Sequence, residues 1–224
     1  VKYSIRPANG VWSKPYVLNH NASLVFTNPT LVCKPNGTVD IAYRAMNGKG
    51  WHRRLSSDNT LTEPILFARD LGNSVSEGIA MLPLVYLPEK EATVAIFRQS
   101  DGYLYLSHNS SGDSWSEPVR VSDRPVVSNA VDSEQTGADV VTWKGRLFLS
   151  FIAKSNRDIY FTTIHNLDQK APDAKCLVPD IDGSWVRGNI LHRQLSTPVY
   201  GLIYDSGSQG GSGFNEYMTV DLEK

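Results

Sequence analysis

Acidic residues stand at the beginning of several apolar segments of this chain. Glu77 begins a short run of small residues, and Glu134 and Asp139 flank another such run, with Asp132 nearby. Glycoside hydrolysis uses two carboxyl groups beside the bond that breaks, one as acid and the other as base or nucleophile. We therefore predict Glu77 and Glu134 as the catalytic pair, with Asp139 as a substitute for either. The alternative is that these carboxylates are solvated or cap turns.

Arginines recur at the ends of a second group of segments. Arg44 and Arg98 each follow an aromatic residue at the end of an apolar run, and Tyr204 and Asp205 occupy the matching place in a later run. Arginine binds carboxylates through two parallel hydrogen bonds, so this pattern predicts a site for a carboxylated sugar. The alternative is ion pairing between neighbouring sheets. The full set of predicted binding residues is Asn28, Arg44, Arg98, Arg187, Tyr204 and Asp205.

Histidine offers a different chemistry. A histidine near a tyrosine would suit a polysaccharide lyase, which removes a proton beside a uronate carboxylate held by arginine. The cluster His52, Arg53 and Arg54 is the densest set of such groups. Successive residues on a strand point to opposite faces, so we expect at most two of these three to act together.

The segments that position these groups alternate apolar and polar residues with a period of two. They are rich in Val, Ile, Tyr and Phe, and turn residues stand between them. This pattern is typical of β-strands, and no helical period is present. The chain is therefore predicted to be all-β, and the clearest strands are residues 38–44, 93–98, 146–152 and 199–204.

An internal repeat indicates how the strands are grouped. A strand, a polar turn and Trp-Ser-x-Pro occur at Trp12 and again at Trp115, and weaker copies follow Trp51 and Tyr160, about 50 residues apart. Four short strands in each repeat are typical of a β-propeller blade, and a tryptophan in each turn would pack between blades. A β-sandwich is the competing architecture, but it does not require this repeat.

The number of repeats predicts a five-bladed propeller formed by residues 1–224 as a single domain. Third strands are expected near Lys2, Trp51, Tyr103, Asp158 and Asn215, but only four preceding strand pairs are found. The first blade thus lacks its inner strands and the last lacks its outer strand. Closure shared between the N- and C-terminal segments is one solution. The other is a larger propeller completed by additional blades or another chain.

Two segments resemble known families. The turn from Ser107 to Trp115 resembles the Asp-box of sialidases and related propellers, with Asn109 in place of the aspartate and Ser114 in place of the threonine. Residues 28–44 resemble the first blade of proteins related to family 43 glycoside hydrolases, in which an aspartate serving as general base usually stands where this chain has Asn28. The Asp-box resemblance implies a propeller fold, and the family 43 resemblance implies that fold together with a glycosidase activity.

Composition excludes several function classes. With 22 Lys and Arg against 23 Asp and Glu, the chain lacks the basic excess of a nucleic-acid binder. No apolar run is long enough for a membrane helix. No metal or cofactor motif is present, and the glycine-rich residues 206–213 precede no helix that would make a phosphate loop. The predicted partner is a carbohydrate, as the carboxylates, the arginines and the two family resemblances imply.

Cysteines and glycosylation sequons bear on localisation. Cys33 and Cys176 could form one disulfide of a secreted protein or be two buried thiols. Sequons begin at Asn21, Asn36 and Asn109, which favours a secreted protein. The alternative functions are a lectin that binds sugars on its tryptophans, a polysaccharide lyase, and a protein-binding scaffold. Strong divergence between the repeats favours one central site over several lectin pockets.

Overall fold

A computed structural model describes most of the chain: residues 2–7, 9–18, 29–45, 47–71, 83–110, 112–127, 138–182, 186–191, 199–206 and 214–221. Within these ranges, only the backbone is described for residues 186–191, 205, 206, 214–217 and 221. The predicted site residues Asn28, Glu77 and Glu134, together with Asp132, lie outside the described residues.

The described strands form five antiparallel sheets in chain order. An N-terminal hairpin contains β1 (Lys2–Tyr3) and β2 (Tyr16–Val17). Sheet I contains β3 (Thr30–Cys33), β4 (Val39–Arg44), β5 (Gly50–Leu55) and β6 (Ile65–Ala68). Sheet II contains β7 (Leu84–Leu87), β8 (Ala92–Arg98), β9 (Leu104–Asn109) and β10 (Val119–Arg120), with a 3₁₀ turn at Pro88–Lys90. Sheet III contains β11 (Ala138–Trp143), β12 (Arg146–Ile152), β13 (Ile159–Ile164) and β14 (Lys175–Val178). Sheet IV contains β15 (Val186–Leu191), β16 (Val199–Ser206) and β17 (Phe214–Asp221).

The sheets are arranged around their first strands. Strand order within each sheet follows the chain, and β3 contacts β7, β7 contacts β11, and β11 contacts β15. Each sheet therefore packs face to face on the next, in a propeller-like arrangement. We call the face turned toward the next sheet the leading face and the opposite one the trailing face.

Four apolar cores lie between the five layers. Each core draws its buried side chains from two consecutive layers, because strands that are apolar on both faces must bury both. Examples from the two sides of each core are Leu18 and Ile41, Phe67 and Phe97, Leu106 and Leu149, and Phe148 and Tyr200.

Turn residues determine where the strands reverse. Lys144 and Gly145 join β11 to β12 with φ values of 46° and 71°, a two-residue hairpin that needs positive φ at both positions. Gly37, between β3 and β4, has a φ of 81° and its N–H donates to the carbonyl of Lys34. Both turns lie at Lys-Gly and Pro-Asn-Gly sequences, among the turn residues that separate the predicted strands.

The all-β prediction is confirmed, and each of the four clearest predicted strands corresponds to β4, β8, β12 or β16. The described part of the chain has a two-stranded first layer and a three-stranded last layer, as the repeat count predicts. Within that part, β1 and β2 pair with each other and β17 pairs with β16, so no strand pairing joins the two ends.

Both interpretations of the cysteines are wrong. Cys33 and Cys176 are free thiols, and both are exposed. Cys33 is at the end of β3 in sheet I, and Cys176 is in β14, the last strand of sheet III, so the two belong to non-adjacent sheets. Separately, the described residues include no helix that is long and apolar enough to cross a bilayer.

Candidate functional site

The predicted site residues that the structure describes lie at one edge of the sheets. We call it the upper edge: there the first strand of each sheet begins and the second strand ends. Arg44 and Arg98 are the last residues of β4 and β8, and Asp139 is the second residue of β11. Arg187 is the second residue of β15, and the 204–205 pair lies near the end of β16. The four sheets thus each contribute a predicted residue to this edge.

Arg44 and Arg98 occupy equivalent positions and are both nearly fully buried. Their side chains are 3% and 5% exposed. Each lies on the leading face of its sheet, as its neighbour two positions earlier shows. Arg98 shares a face with Ile96, which is in the core between sheets II and III. Arg44 shares a face with Ala42, which is in the core between sheets I and II. The two guanidinium groups therefore stand between sheets.

Arg98 holds the loop that leads into sheet III. Its Nε donates a hydrogen bond of 3.0 Å to the carbonyl of Val126. Gly102 lies against the guanidinium group of Arg98, and a Cβ at position 102 would be 3.1 Å from Arg98 Nη2. The φ of Gly102 is 88°, a backbone conformation that favours glycine. This arrangement fixes Arg98 at the upper edge.

Asp139 belongs to a polar group between sheets III and IV. It is paired across the strands with Ser150, so the two side chains share the leading face. Ser150 Oγ is 2.8 Å from the hydroxyl of Tyr200 on sheet IV, and both residues are fully buried. Burial raises the pKa of Tyr200, and the negative charge of Asp139 raises it further. The Tyr200 hydroxyl is therefore neutral and acts as a hydrogen-bonding group.

Asp139 is further held by its own strand, since its Oδ1 accepts a hydrogen bond of 2.9 Å from the N–H of Val140. Sequence reasoning identified Asp139 but missed Ser150 and Tyr200. Ser150 could have been singled out from the sequence, because it is the one uncharged polar residue in the apolar strand 146–152. Arg187 and Asp205 are placed by their backbone only, and Tyr204 is buried in the core between sheets III and IV.

A second cluster of charged groups in the described residues lies away from the upper edge. Asp40, near the opposite, lower end of β4, is fully buried and accepts hydrogen bonds from four side chains. The donors are His52 Nε2 at 2.9 Å, Arg54 Nε at 2.8 Å, Lys34 Nζ at 2.7 Å and the Thr93 hydroxyl of sheet II. Burial alone would raise the pKa of Asp40, but these hydrogen bonds hold it well below its usual range. The cluster joins sheet I to sheet II.

The expectation that at most two of His52, Arg53 and Arg54 act together is confirmed. His52 and Arg54 both bind Asp40. Arg53 points to the other face, where its Nη1 and Nε donate to the carbonyls of Leu18 and Thr62 at 2.5 and 2.6 Å. These three residues connect sheet I to both of its neighbours.

The Asp-box-like turn is closed by Asn109. The N–H of Gly112 donates to Asn109 Oδ1 at 2.8 Å, and Asn109 Nδ2 donates back to the Gly112 carbonyl at 3.3 Å. Trp115 then packs against sheet I, with its ring centroid 5.2 Å from those of Phe67 and His52. Asn109 is buried, so its sequon cannot be glycosylated in the folded protein.

No group of three or more His, Cys, Asp or Glu side chains suited to a metal ion occurs among the described residues.

No protein-family model matches this chain, and no curated protein sequence matches it significantly. Solved structures are similar in fold. A variant of the NanB sialidase from Streptococcus pneumoniae has a TM-score of 0.63 and 14% identity, over 95% of this chain and 34% of that one. An ulvan lyase of a polysaccharide lyase family, bound to -[GlcA(1-4)Rha3S]-, has a TM-score of 0.55 and 11% identity, over 86% of this chain and 50% of that one.

An α-L-arabinofuranosidase from Lactobacillus brevis has a TM-score of 0.54 and 15% identity, over 88% of this chain and 68% of that one. The chain therefore spans about a third of the sialidase and half of the lyase. These neighbours are glycan-active enzymes with propeller-like folds. Since identity is low throughout, the likeness shows the all-β, propeller-like fold alone.

Proposed function

We propose that this protein acts on a glycan at the upper edge of its sheets. The observation that carries the proposal is that residues of carbohydrate-binding type from four consecutive sheets come to one edge. The likeness to a sialidase, a polysaccharide lyase and an arabinofuranosidase supports it. Fold alone does not define function, so the chemistry must come from residues at this edge.

The reaction that these residues fit best is glycoside hydrolysis. In this proposal Glu77 and Glu134 act as the acid and the base or nucleophile, and Asp139 can replace one of them. One carboxyl group donates its proton to the leaving oxygen, while the other carboxylate either attacks the anomeric carbon or takes a proton from the attacking water. A separation of about 5 Å between the two carboxyl groups predicts retention of the anomeric configuration, and a separation of about 7–9 Å predicts its inversion.

An anionic sugar is the proposed substrate class. The chain has a net charge of -1, so a negative substrate must be attracted locally. Arg44 and Arg98 place two buried positive charges behind the upper edge, where solvent screens them less than at the surface. Asn28, Arg187, Tyr204 and Asp205 complete the proposed binding set.

A panel of glycosides tests the proposal. Wild-type protein is incubated with sialosides, arabinofuranosides and uronate polysaccharides, and released reducing sugar is measured. Turnover that falls by at least about 100-fold in both Glu77→Gln and Glu134→Gln supports the catalytic pair. The matched control is Glu89→Gln, in the exposed turn Pro88–Lys90 at the lower edge, which should keep full activity. Equal activity in all three variants would overturn the assignment.

A polysaccharide lyase is the second candidate, because one structural neighbour is an ulvan lyase. A lyase removes the proton beside a uronate carboxylate and expels the glycosidic oxygen, which leaves a carbon–carbon double bond in the product. Ultraviolet absorbance of that unsaturated product separates this reaction from hydrolysis in the same panel. Binding without either product would indicate a lectin.

The organisation of the protein is part of the proposal. We take the five sheets as blades of one five-bladed propeller, about 50 residues each, formed by residues 1–224 as a single domain. We also propose that the protein is secreted. Of the two sequons in the described residues, Asn36 in the turn between β3 and β4 is exposed and open to modification, and the sequon at Asn21 lies outside those residues. A mass shift at Asn36 after secretion from a glycosylating host tests this, and an unmodified Asn36 would contradict it.

A further inference from the structure

The chain crosses from sheet II to sheet III through residues 121–127, which we call the crossover segment. It follows β10, the outermost strand of sheet II, and leads along the upper edge toward β11, the first strand of sheet III. Connections between sheets usually run over the surface of a protein and remain exposed. Four residues of this connection are buried instead: Val121, Ser122, Val126 and Val127.

Hydrogen bonds to sheet II hold the crossover segment on one side. The N–H of Val121 donates to the carbonyl of Leu104 at 2.8 Å, and the N–H of Leu104 donates to Ser122 Oγ at 2.9 Å. Further along, the N–H of Val126 donates to the carbonyl of Gly102 at 2.9 Å. The segment is therefore attached to the beginning of β9 and to the turn that precedes it.

Sheet III holds the crossover segment on the other side. Val126 forms an antiparallel bridge with Ala153, which directly follows β12. The N–H of Val127 donates to the carbonyl of Ile152, the last residue of β12, at 3.0 Å. The crossover segment therefore joins the two sheets at the upper edge.

The end of the crossover segment is also an anchor for residues 128–137, which include Glu134. Val127 is bonded to the last residue of β12, and Ala138, the first residue of β11, pairs with Phe151 of the same strand. Residues 128–137 thus connect two anchors on consecutive positions of β12. Whatever fixes Val127 therefore also fixes the point from which these residues start.

Arg98 of sheet II binds the crossover segment through its side chain. Its Nε donates to the carbonyl of Val126, the same residue whose N–H bonds the turn. A Cβ at position 102 would meet both Arg98 Nη2 and the Cβ of Pro125, so the guanidinium group is enclosed between the turn and the segment. Arginine binds a carboxylate best through two parallel N–H groups. Because Nε is already bonded to the main chain and Arg98 is buried, its geometry favours a contact within the protein over one with a substrate carboxylate.

We propose that Arg98 is a positioning residue of the upper-edge site. By holding Val126, it fixes the crossover segment between sheets II and III, and with it the first anchor of the residues that carry Glu134. This inference rests on the proposed function and deepens it, because it gives Arg98 a part in placing a catalytic carboxyl group. A displacement of about 1 Å can cost on the order of 100-fold in rate, so a loosened anchor should slow the chemical step.

The kinetics of an Arg98→Lys variant test the proposal on each glycoside of the panel that the wild type turns over. Lysine keeps the positive charge but lacks the planar group that bonds Val126. We expect kcat to fall on the order of 10-fold, while KM for a sialoside or a uronate polysaccharide stays within about twofold of wild type. An arginine that binds the substrate carboxylate would instead raise KM for these anionic substrates.

Two further variants separate the crossover segment from charge and from general damage. Ser122→Ala removes the acceptor of the Leu104 N–H without touching Arg98, so it should lower kcat in the same sense and leave KM unchanged. The matched control is Arg120→Gln, because Arg120 ends β10 and lies over the ring of Tyr103, outside the proposed site. This control should keep both kcat and KM.

Hydrogen exchange of the substrate-free protein provides a readout that does not depend on activity. In Arg98→Lys, the amides of Val126 and Val127 should exchange on the order of 10-fold faster, because the segment that bears them opens more often. The amide of Ile96, which donates to the carbonyl of Pro83 inside sheet II, is the internal reference and should be unchanged. Arg120→Gln should leave all three amides as in the wild type.

The outcomes are distinguishable. Faster exchange at Val126 and Val127 together with a loss confined to kcat supports the proposal. A raised KM with unchanged kcat would show that Arg98 binds the substrate, and unchanged exchange would show that the segment is held without it; either result would overturn the proposal. If the wild type turns over no glycoside, the proposed function fails and the positioning role fails with it, whereas faster exchange would still show that Arg98 holds the crossover segment.

Discussion

Trp115 and Trp12 stand in the same Trp-Ser-x-Pro sequence but have different surroundings. Trp115 packs on Phe67 and His52 of the preceding sheet, in the core between sheets I and II. Trp12 follows the same kind of turn and is 64% exposed. The repeat therefore determines the position of the tryptophan, and the neighbouring sheet determines whether it is buried.

The same contrast holds for polar groups. In the middle of the stack, consecutive sheets are joined by buried polar contacts, such as Asp40 with Thr93 and Ser150 with Tyr200. At the ends, the hairpin and Ile203 of sheet IV leave apolar side chains exposed. We expect substitutions in the middle to lower the free energy of unfolding more than substitutions at the ends.

The largest stability effect is expected at Asp40. Asp40→Asn removes the only carboxylate shared by His52, Arg54 and Lys34 in the described structure, and leaves these donors without a buried counter-charge. The free energy of unfolding should fall by about 3–5 kcal/mol, measured by urea denaturation. Asp58→Asn, in an exposed turn, is the control and should be near neutral. A loss at Asp40 no larger than the control would show that sheets I and II are not joined in this way.

The two tryptophans give the next largest difference. Trp115→Ala should cost about 3 kcal/mol, because it opens a cavity between sheets I and II. Trp12→Ala should change the stability of the monomer by less than about 0.5 kcal/mol, because its side chain is exposed. Thermal unfolding at low protein concentration measures both. Equal losses would mean that Trp12 is covered within the monomer.

Acid should remove part of the Asp40 contribution. Folding lowers the pKa of Asp40 from its ordinary value of 3.8, so the ionised carboxylate stabilises the folded state. This contribution is fully present at pH values above 3.8. The contribution is lost as the pH falls toward the folded pKa. The stability difference between wild type and Asp40→Asn should thus be constant near neutrality and shrink below about pH 4. A difference that grows on acidification would contradict the lowered pKa.

A smaller loss than at Asp40 or Trp115 is expected at the contact between sheets III and IV. Tyr200→Phe removes the hydroxyl that meets Ser150 and keeps the ring in the core, so about 1 kcal/mol should be lost. Tyr16→Phe, at an exposed ring of the hairpin, is the control. No loss at Tyr200 would indicate that Ser150 finds another partner.

Local pattern predicted the strands well because alternation, turns and the repeat are all short-range signals. The period of two located β4, β8, β12 and β16, and the alternation of faces correctly separated Arg53 from His52 and Arg54. The same reasoning gave Arg44 and Arg98 equivalent positions, and they are the last residues of β4 and β8.

Contacts between residues far apart in the sequence could not be predicted from the sequence alone. Asp40 meets Thr93 from the next sheet, and Ser150 meets Tyr200, each pair at least 50 positions apart. A single sequence does not show which distant polar groups pair, although Asp40 and Ser150 are each a polar residue inside an apolar strand. The interpretation of the cysteines failed for the same reason, since pairing depends on which sheets are adjacent.

Hydrogen exchange with a bound glycan tests the location of the site most directly. The probe is a sialyl or uronate oligosaccharide that binds in the panel, compared with the free protein. We predict slower exchange in upper-edge peptides that include residues 44–50 and 98–104, and no change in the lower-edge turns at residues 34–38 and 88–91. Protection confined to the lower edge, or no protection by any oligosaccharide of the panel, would contradict a glycan site at the upper edge.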